Sequence, residues 1–150
     1  MPILCEIVTQ ERLVYSDEVD MVVLNGAEGQ MGILPNHAPL LTTLQIGELT
    51  IKKGSDEEVF AVGGGVLEVR PDKITVLADA VEGAEEIDLA RAEAARTRAE
   101  EFLAEGPNET IHPDVYHEIT LALQRANVRL RIGRRRRGSP SPMEFGGSES

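Results

Sequence analysis

Apolar and polar positions change rhythm once along this chain. Up to about residue 84 the apolar residues come in short runs with a period of two. Ile3, Cys5 and Ile7 alternate with Leu4, Glu6 and Val8. Further runs stand at Leu13–Tyr15, Val19–Leu24, Met31–Leu34, Leu40–Leu44, Glu48–Lys52, Val59–Val62, Val66–Val69 and Ile74–Leu77. Turn formers separate them: Asn25-Gly26, Pro35, Gly47, Gly63-Gly64-Gly65, and Arg70-Pro71-Asp72-Lys73, where Pro then Asp suits a type I turn. Short strands roughly 8–12 residues apart, with no helical pattern between them, predict an antiparallel sandwich or barrel over residues 1–84.

From residue 85 the period becomes helical. Leu89, Ala92, Ala95, Ala99, Phe102 and Leu103 recur at three- and four-residue intervals, as do Val115, Ile119, Ala122, Leu123, Ala126 and Leu130. Gly106-Pro107-Asn108 stops the first helix, and His112-Pro113-Asp114 starts the second. The expected fold class is therefore α+β: an N-terminal antiparallel β-sandwich (1–84), then an antiparallel two-helix hairpin (85–132). The last stretch, 133–150, is basic and then rich in Ser, Gly and Pro, and is expected to be a disordered tail. The facing helix positions are rich in alanine. Alanine buries little area at about 25 cal/mol per Å², so the hairpin is expected to be marginal alone and able to leave whatever it packs against.

Charge marks the same boundary. Residues 1–84 hold 14 acids and 5 bases; residues 85–150 hold 12 acids and 10 bases, all ten of them arginine. The whole chain of 150 residues carries −11 and has no Trp. Such a balance disfavours non-specific binding of nucleic acid. One cysteine, Cys5, allows no intramolecular disulfide. No apolar run reaches the ~18–20 residues of a membrane span, and the first residues have no leader pattern. The expectation is a soluble chain in a reducing compartment.

Candidate chemistry is sparse. His37, His112 and His117 lack ligand spacing, Ser16 and Ser55 have no base pattern, and the Gly63–Gly65 run is not followed by Lys-Ser/Thr. Those glycines suit close packing or a bulge. The most unusual stretch runs from Gly26 through Gly29, Gly32, Pro35 and His37 to Pro39. It reads equally as a structural turn between strands or as a rigid loop that docks on a partner.

Three segments, GAEGQMGILPNHAPLLTTLQIGEL, FAVGGGVLEVRPDKITVLADAVE and IDLARAEAARTRAEEFL, resemble the epsilon subunits of bacterial F-type ATP synthases, relatives of chloroplast epsilon and mitochondrial delta. The resemblance runs from about residue 2 to 132. It implies a β-sandwich and helical hairpin with no catalysis of its own. It also implies a rotor subunit, peripheral on the cytoplasmic side of the bacterial inner membrane and coupling proton-driven rotation to ATP synthesis. The sandwich would bind the gamma subunit and the ring of c subunits, with Glu28, Gly29, Gln30, Met31 and His37 in the region facing the ring. The hairpin would fold on the sandwich or extend along gamma, and the extended form would block ATP hydrolysis.

The same resemblance implies ATP as a regulatory ligand of the folded hairpin. Ile87, Asp88, Arg91 and Ala92 match the relatives' motif, and Glu82, Arg98, Arg125 and Arg129 fall on matching positions. Guanidinium groups suit phosphate oxygens. A plainer reading stays open: Asp88 and Arg91 as a surface pair worth ~0.2–0.5 kcal/mol, and Arg125 and Arg129 as a solvated face. The basic end that includes Arg131 and Arg134 would contact the beta subunit in the inhibited state. The rival from another class is an adaptor whose run Arg134–Arg137 binds nucleic acid. The acidic remainder of the chain and the scarcity of aromatics speak against it.

Overall fold

The alternation of Ile3, Cys5 and Ile7 with more exposed neighbours is the pattern of a strand with one face in a core. The computed structural model describes residues 2–26, 29–106 and 110–138, with backbone alone for 136–138. Eight strands precede the helices: β1 (Ile3–Val8), β2 (Leu13–Val19), β3 (Met21–Gly26), β4 (Gly29–Ile33), β5 (Leu40–Lys53), β6 (Asp56–Arg70), β7 (Lys73–Ala78) and β8 (Val81–Gly83). They form one hydrogen-bonded path, β2-β1-β7-β6-β5-β3-β4, with β8 added to β6. All pairings are antiparallel except β1 with β7.

The path becomes a two-layer sandwich because β5 and β6 serve both layers. The C-terminal half of β6 pairs with β7, while Phe60–Val62 pair with β8. Met21–Val23 of β3 pair with the C-terminal half of β5. The corner lies at Gly64 and Gly65, whose φ values of 101° and 148° suit glycine alone. A side chain on Gly65 would also come within 2.9 Å of Ala78 Cα. The runs expected as four short strands on either side of Gly47 and of Gly63–Gly65 are thus two long strands. The close packing expected of Gly63–Gly65 is present at Gly65, and there the ladder turns a corner and continues.

Two other expectations are corrected. The run Val19–Leu24 breaks at Asp20, whose Oδ2 accepts the Gly54 N–H at 2.6 Å. The glycine-rich stretch after Asn25 is no single loop. Gly26 pairs with Gly29, and Gly29–Ile33 is an edge strand followed by a turn at Pro35–His37.

Ile3, Cys5, Ile7, Val22, Ile33, Leu49, Leu67, Ile74 and Val76 fill the space between the layers. Tyr15 and Phe60 meet edge-to-face there, with ring centroids 5.8 Å apart. A 3-10 turn (Ala84–Glu86) leads to α1 (Leu89–Ala104) and then α2 (Pro113–Gly138). Ala92 and Ala99 of α1 are buried, as is Ala126 of α2. At the far end Tyr116 Oη donates to the Leu103 carbonyl at 3.3 Å.

The second helix does not stop at residue 132. It continues to Gly138, so the first six residues of the expected disordered tail are helical; residues 139–150 lie outside the described part. Arginine is a good helix former, and positive charge is favoured at a helix C-terminus. The glycine within this extension fits for a packing reason: a Cβ on Gly133 would sit 2.6 Å from Leu89 Cδ2 and 3.1 Å from Ile87 Cγ2. Among the described residues no helix is long and apolar enough to cross a membrane.

Candidate functional site

The outer face of one sandwich layer is where the two parts of the chain meet. Along β6, Phe60, Ala61 and Val62 are all buried, which breaks the alternation of a one-faced strand. Phe60 and Val62 belong to the sandwich core, whereas Ala61 packs with Ile87, Val128 and Ile132 in a second cluster flanked by Ile46 and Val59. Val128 and Ile132 are four residues apart, so they lie on one face of α2.

Several residues singled out in the sequence converge at this seam. Arg129 grips Glu82 of β8 with two hydrogen bonds, Nε to Oε2 at 2.9 Å and Nη2 to Oε1 at 3.4 Å. Arg125 crosses above Gly63, where an added Cβ would lie 3.3 Å from its Cδ. Glu82, Arg125 and Arg129 line a cleft of about 290 Å³, together with Arg12 and Glu86, which approach to 3.7 Å. Asp88 caps α1 by accepting the Arg91 N–H at 3.2 Å, and satisfies a donor that the first turn leaves open. Ile87 and Ala92 are buried in the packing of the hairpin. Arg91 and Arg98 are exposed on α1, two turns apart on one face, and do not line the cleft. The predicted ligand set therefore divides into a clustered part, an exposed part and a packed part.

The residues expected to face the ring lie along an edge. Gly29, Gln30 and Met31 are on β4, which ends the strand path among the described residues. His37 follows in the turn, its Nδ1 2.7 Å from the Ala38 carbonyl oxygen, and the Asn36 N–H donates to the Pro71 carbonyl at 3.3 Å. Glu28 lies outside the described residues. Arg131 and Arg134 are engaged within the chain: Arg131 Nε lies 3.9 Å from Glu48 Oε2, and Arg134 Nη2 lies 2.6 Å from Glu93 Oε2.

Sequence reading missed one surface. Val66, Leu77, Val8 and Leu13 stand opposite one another in a single cross-strand row over β6, β7, β1 and β2. Leu13 is 54% exposed, Leu77 49% and Val66 36%. Among the described residues the hairpin covers the other layer and leaves this row open. The signal was present in the alternation, since Val66 and Leu77 are the outward partners of the buried Leu67 and Val76.

The sheet sandwich, the helical hairpin docked on it and the seam of ion pairs between them make a two-part module. The comparisons give the family. Residues 3–84 match the family described as ATP synthase, Delta/Epsilon chain, beta-sandwich domain, and residues 85–133 match its long alpha-helix domain. An ATP synthase epsilon chain from Dehalococcoides mccartyi (strain CBDB1) is 51% identical over 135 residues, which cover 90% of this chain and 94% of the relative. One from Herpetosiphon aurantiacus is 47% identical over 137 residues, covering 91% and 98%. A chain in the Euglena gracilis mitochondrial ATP synthase structure (OSCP/F1/c-ring, rotational state 1) has a TM-score of 0.72 at 21% identity. That match covers 87% of this chain and 79% of the other, and shows the shared fold. The chain belongs to the ATP synthase delta/epsilon family, and is a non-catalytic accessory subunit of that enzyme.

Proposed function

We propose that the chain is a rotor subunit of the central stalk, peripheral on the cytoplasmic face of the bacterial inner membrane, whose hairpin restrains ATP hydrolysis. The observation that carries this reading is the seam. The hairpin rests on the sandwich through one small apolar strip, Ala61 with Ile87, Val128 and Ile132, flanked by ion pairs that solvent reaches in part. A contact of that size is compatible with release, whereas the sandwich core is not.

In this reading the open row of Leu13, Val66 and Leu77 takes the gamma subunit, since apolar side chains on a sheet face suit a permanent protein partner. The β4 edge and the His37 turn face the c ring. When extended, the hairpin presents its arginines to the beta subunit and blocks hydrolysis. ATP favours the folded hairpin by binding that state better than the extended one. Its phosphates would draw on Arg91, Arg98, Arg125 and Arg129, with Glu82 and Asp88 nearby. Because Arg129 is held by Glu82 here, phosphate binding at Arg129 exchanges one partner for another.

The test is ATP hydrolysis by the assembled complex carrying either the full chain or a chain ending at Thr110. Hydrolysis rises on removal of the hairpin if it is a brake, and an unchanged rate refutes the reading. Titration of the chain with ATP reads the ligand separately: saturable binding that Arg125→Ala weakens supports it, and no binding up to millimolar ATP removes it.

A further inference from the structure

The outer face of β5, β6 and β8 carries a second pattern beneath α2. The ladder aligns Glu48 with Ala61 and Ala61 with Glu82, so one cross-strand row reads acid, alanine, acid. The helix above it repeats that order at four-residue intervals. Arg129 reaches Glu82 on one flank, Val128 and Ile132 cover Ala61 in the middle, and Arg131 and Arg135 reach Glu48 on the other flank. In the extension beyond residue 132, Arg134 reaches across to Glu93 of α1. Gly133 completes the fit, since a side chain there would make Leu89 and Ile87 shift.

We infer that the last turns of α2, from Arg129 through Arg135, are an electrostatic latch that holds the hairpin on the sandwich in one register and releases it as ionic strength rises. The register follows from the spacing. Sliding α2 by one turn would bring Arg129 to the place where Gly133 now packs against Leu89 and Ile87, and would take its guanidinium away from Glu82. The salt sensitivity follows from exposure. Glu82 and Arg129 are 28% and 26% exposed, while Arg131 and Arg135 are about half exposed, so screening ions reach the outer pairs first. The apolar contact beneath the pairs is narrow, Ala61, Ile87, Val128 and Ile132 with Ile46, Val59, Ala84 and Leu89 at its margin, and the charges border it on both flanks. The latch presupposes the mobile hairpin proposed above, and specifies which side chains park it.

The experiment uses the full chain alone, with probes on Ser55→Cys and Asn127→Cys. Both positions are exposed, and the native Cys5 is buried. The distance between the probes reports the fraction of parked hairpin. Raising NaCl from about 0.1 M to about 1 M shortens the screening length from about 10 Å to about 3 Å, and the parked fraction falls. Glu48→Gln shifts the parked-to-released ratio about two- to fivefold at low salt and blunts the salt response. Glu48→Arg shifts it further, and Arg135→Glu added to Glu48→Arg restores most of the parked fraction. A chain ending at Ile132 is released at least as far as Glu48→Gln. Strand circular dichroism of each variant confirms an intact sandwich. Release that is equal in all variants at every salt concentration overturns the latch and leaves the swinging hairpin standing. A probe distance that never changes, in any variant or at any salt, overturns both.

Discussion

The two halves of this chain are held by different physics. Between the sandwich layers, Ile3, Ile7, Leu67, Ile74 and Val76 are excluded from water, and their neighbours are equally large. Within the hairpin the buried positions include Ala92, Ala99 and Ala126, and where α2 meets the sandwich charged pairs border a narrow apolar strip. Burial of aliphatic side chains is strong, non-directional and cooperative. Exposed ion pairs are individually weak and sensitive to solvent. The proposed function, a sheet that stays attached and a hairpin that leaves, calls for these two kinds of cohesion.

The sharpest test of that contrast is a pair of truncations of side-chain volume. Leu67→Ala should lower the stability of the sandwich by about 2–5 kcal/mol, the range for a large aliphatic in a filled core. Ala99→Gly in α1 should cost only about 1 kcal/mol, mostly helix propensity, and should leave the strand signal unchanged. Denaturant unfolding followed at strand and helix wavelengths separates the two; equal losses would mean one undivided core.

Next in size are the two glycines. Gly65→Ala forces a side chain against Ala78 at a positive φ, and should cost the sandwich about 1–3 kcal/mol. Gly133→Val should instead lift the end of α2 from Leu89 and Ile87, at a cost of about 1–3 kcal/mol for overpacking. Its effect should appear in amide exchange of α2 and leave exchange in β1 and β7 as it was.

Cys5 gives a readout of the sandwich alone. Burial, and after it the Glu6 charge, pushes the thiol up to about 12. A thiol reagent at pH 8 should leave the folded chain unmodified, and should react within the dead time once the sandwich unfolds. Reaction without unfolding would show that the sheet opens as readily as the hairpin.

The smallest effect is at the surface pair of β2 and β5. Lys53 Nζ donates to Asp17 Oδ2 at 2.6 Å. That bond, followed by one from the Glu18 N–H, holds the Asp17 carboxyl below its usual range, and the same lysine is held above its own. A depressed carboxyl contributes stability above its unfolded value and loses it as pH falls through the folded one. A raised amine contributes below its unfolded value and loses it as pH rises. The sandwich should therefore weaken slightly below about pH 4 and above about pH 10. Asp17→Asn should flatten both limbs in a thermal unfolding series against pH. The helix signal should not follow.

Residue order alone decided much of this molecule. The period-two runs of Ile3–Ile7 and Ile74–Leu77 mark strands, because one face of each must leave water. The spacing of Leu89, Ala92 and Ala99 marks a helix for the same reason with a different period. The motif around Asp88 and Arg91 and the glycine-rich stretches carry the family. What the tertiary structure decided is whatever depends on a partner distant in sequence. Gly64 and Gly65 bend a strand because β7 needs room there, while in the sequence they look like a break. The stretch after Ile132 reads as a disordered tail in the sequence, whereas in the fold the helix continues through it and Arg134 and Arg135 reach Glu93 and Glu48. Glu82 and Arg129, matched to a ligand by sequence, hold each other across 47 positions. Local pattern records which face is apolar; only the fold sets which charges stand opposite each other, because ion pairing depends on distance in space and leaves no period in the chain.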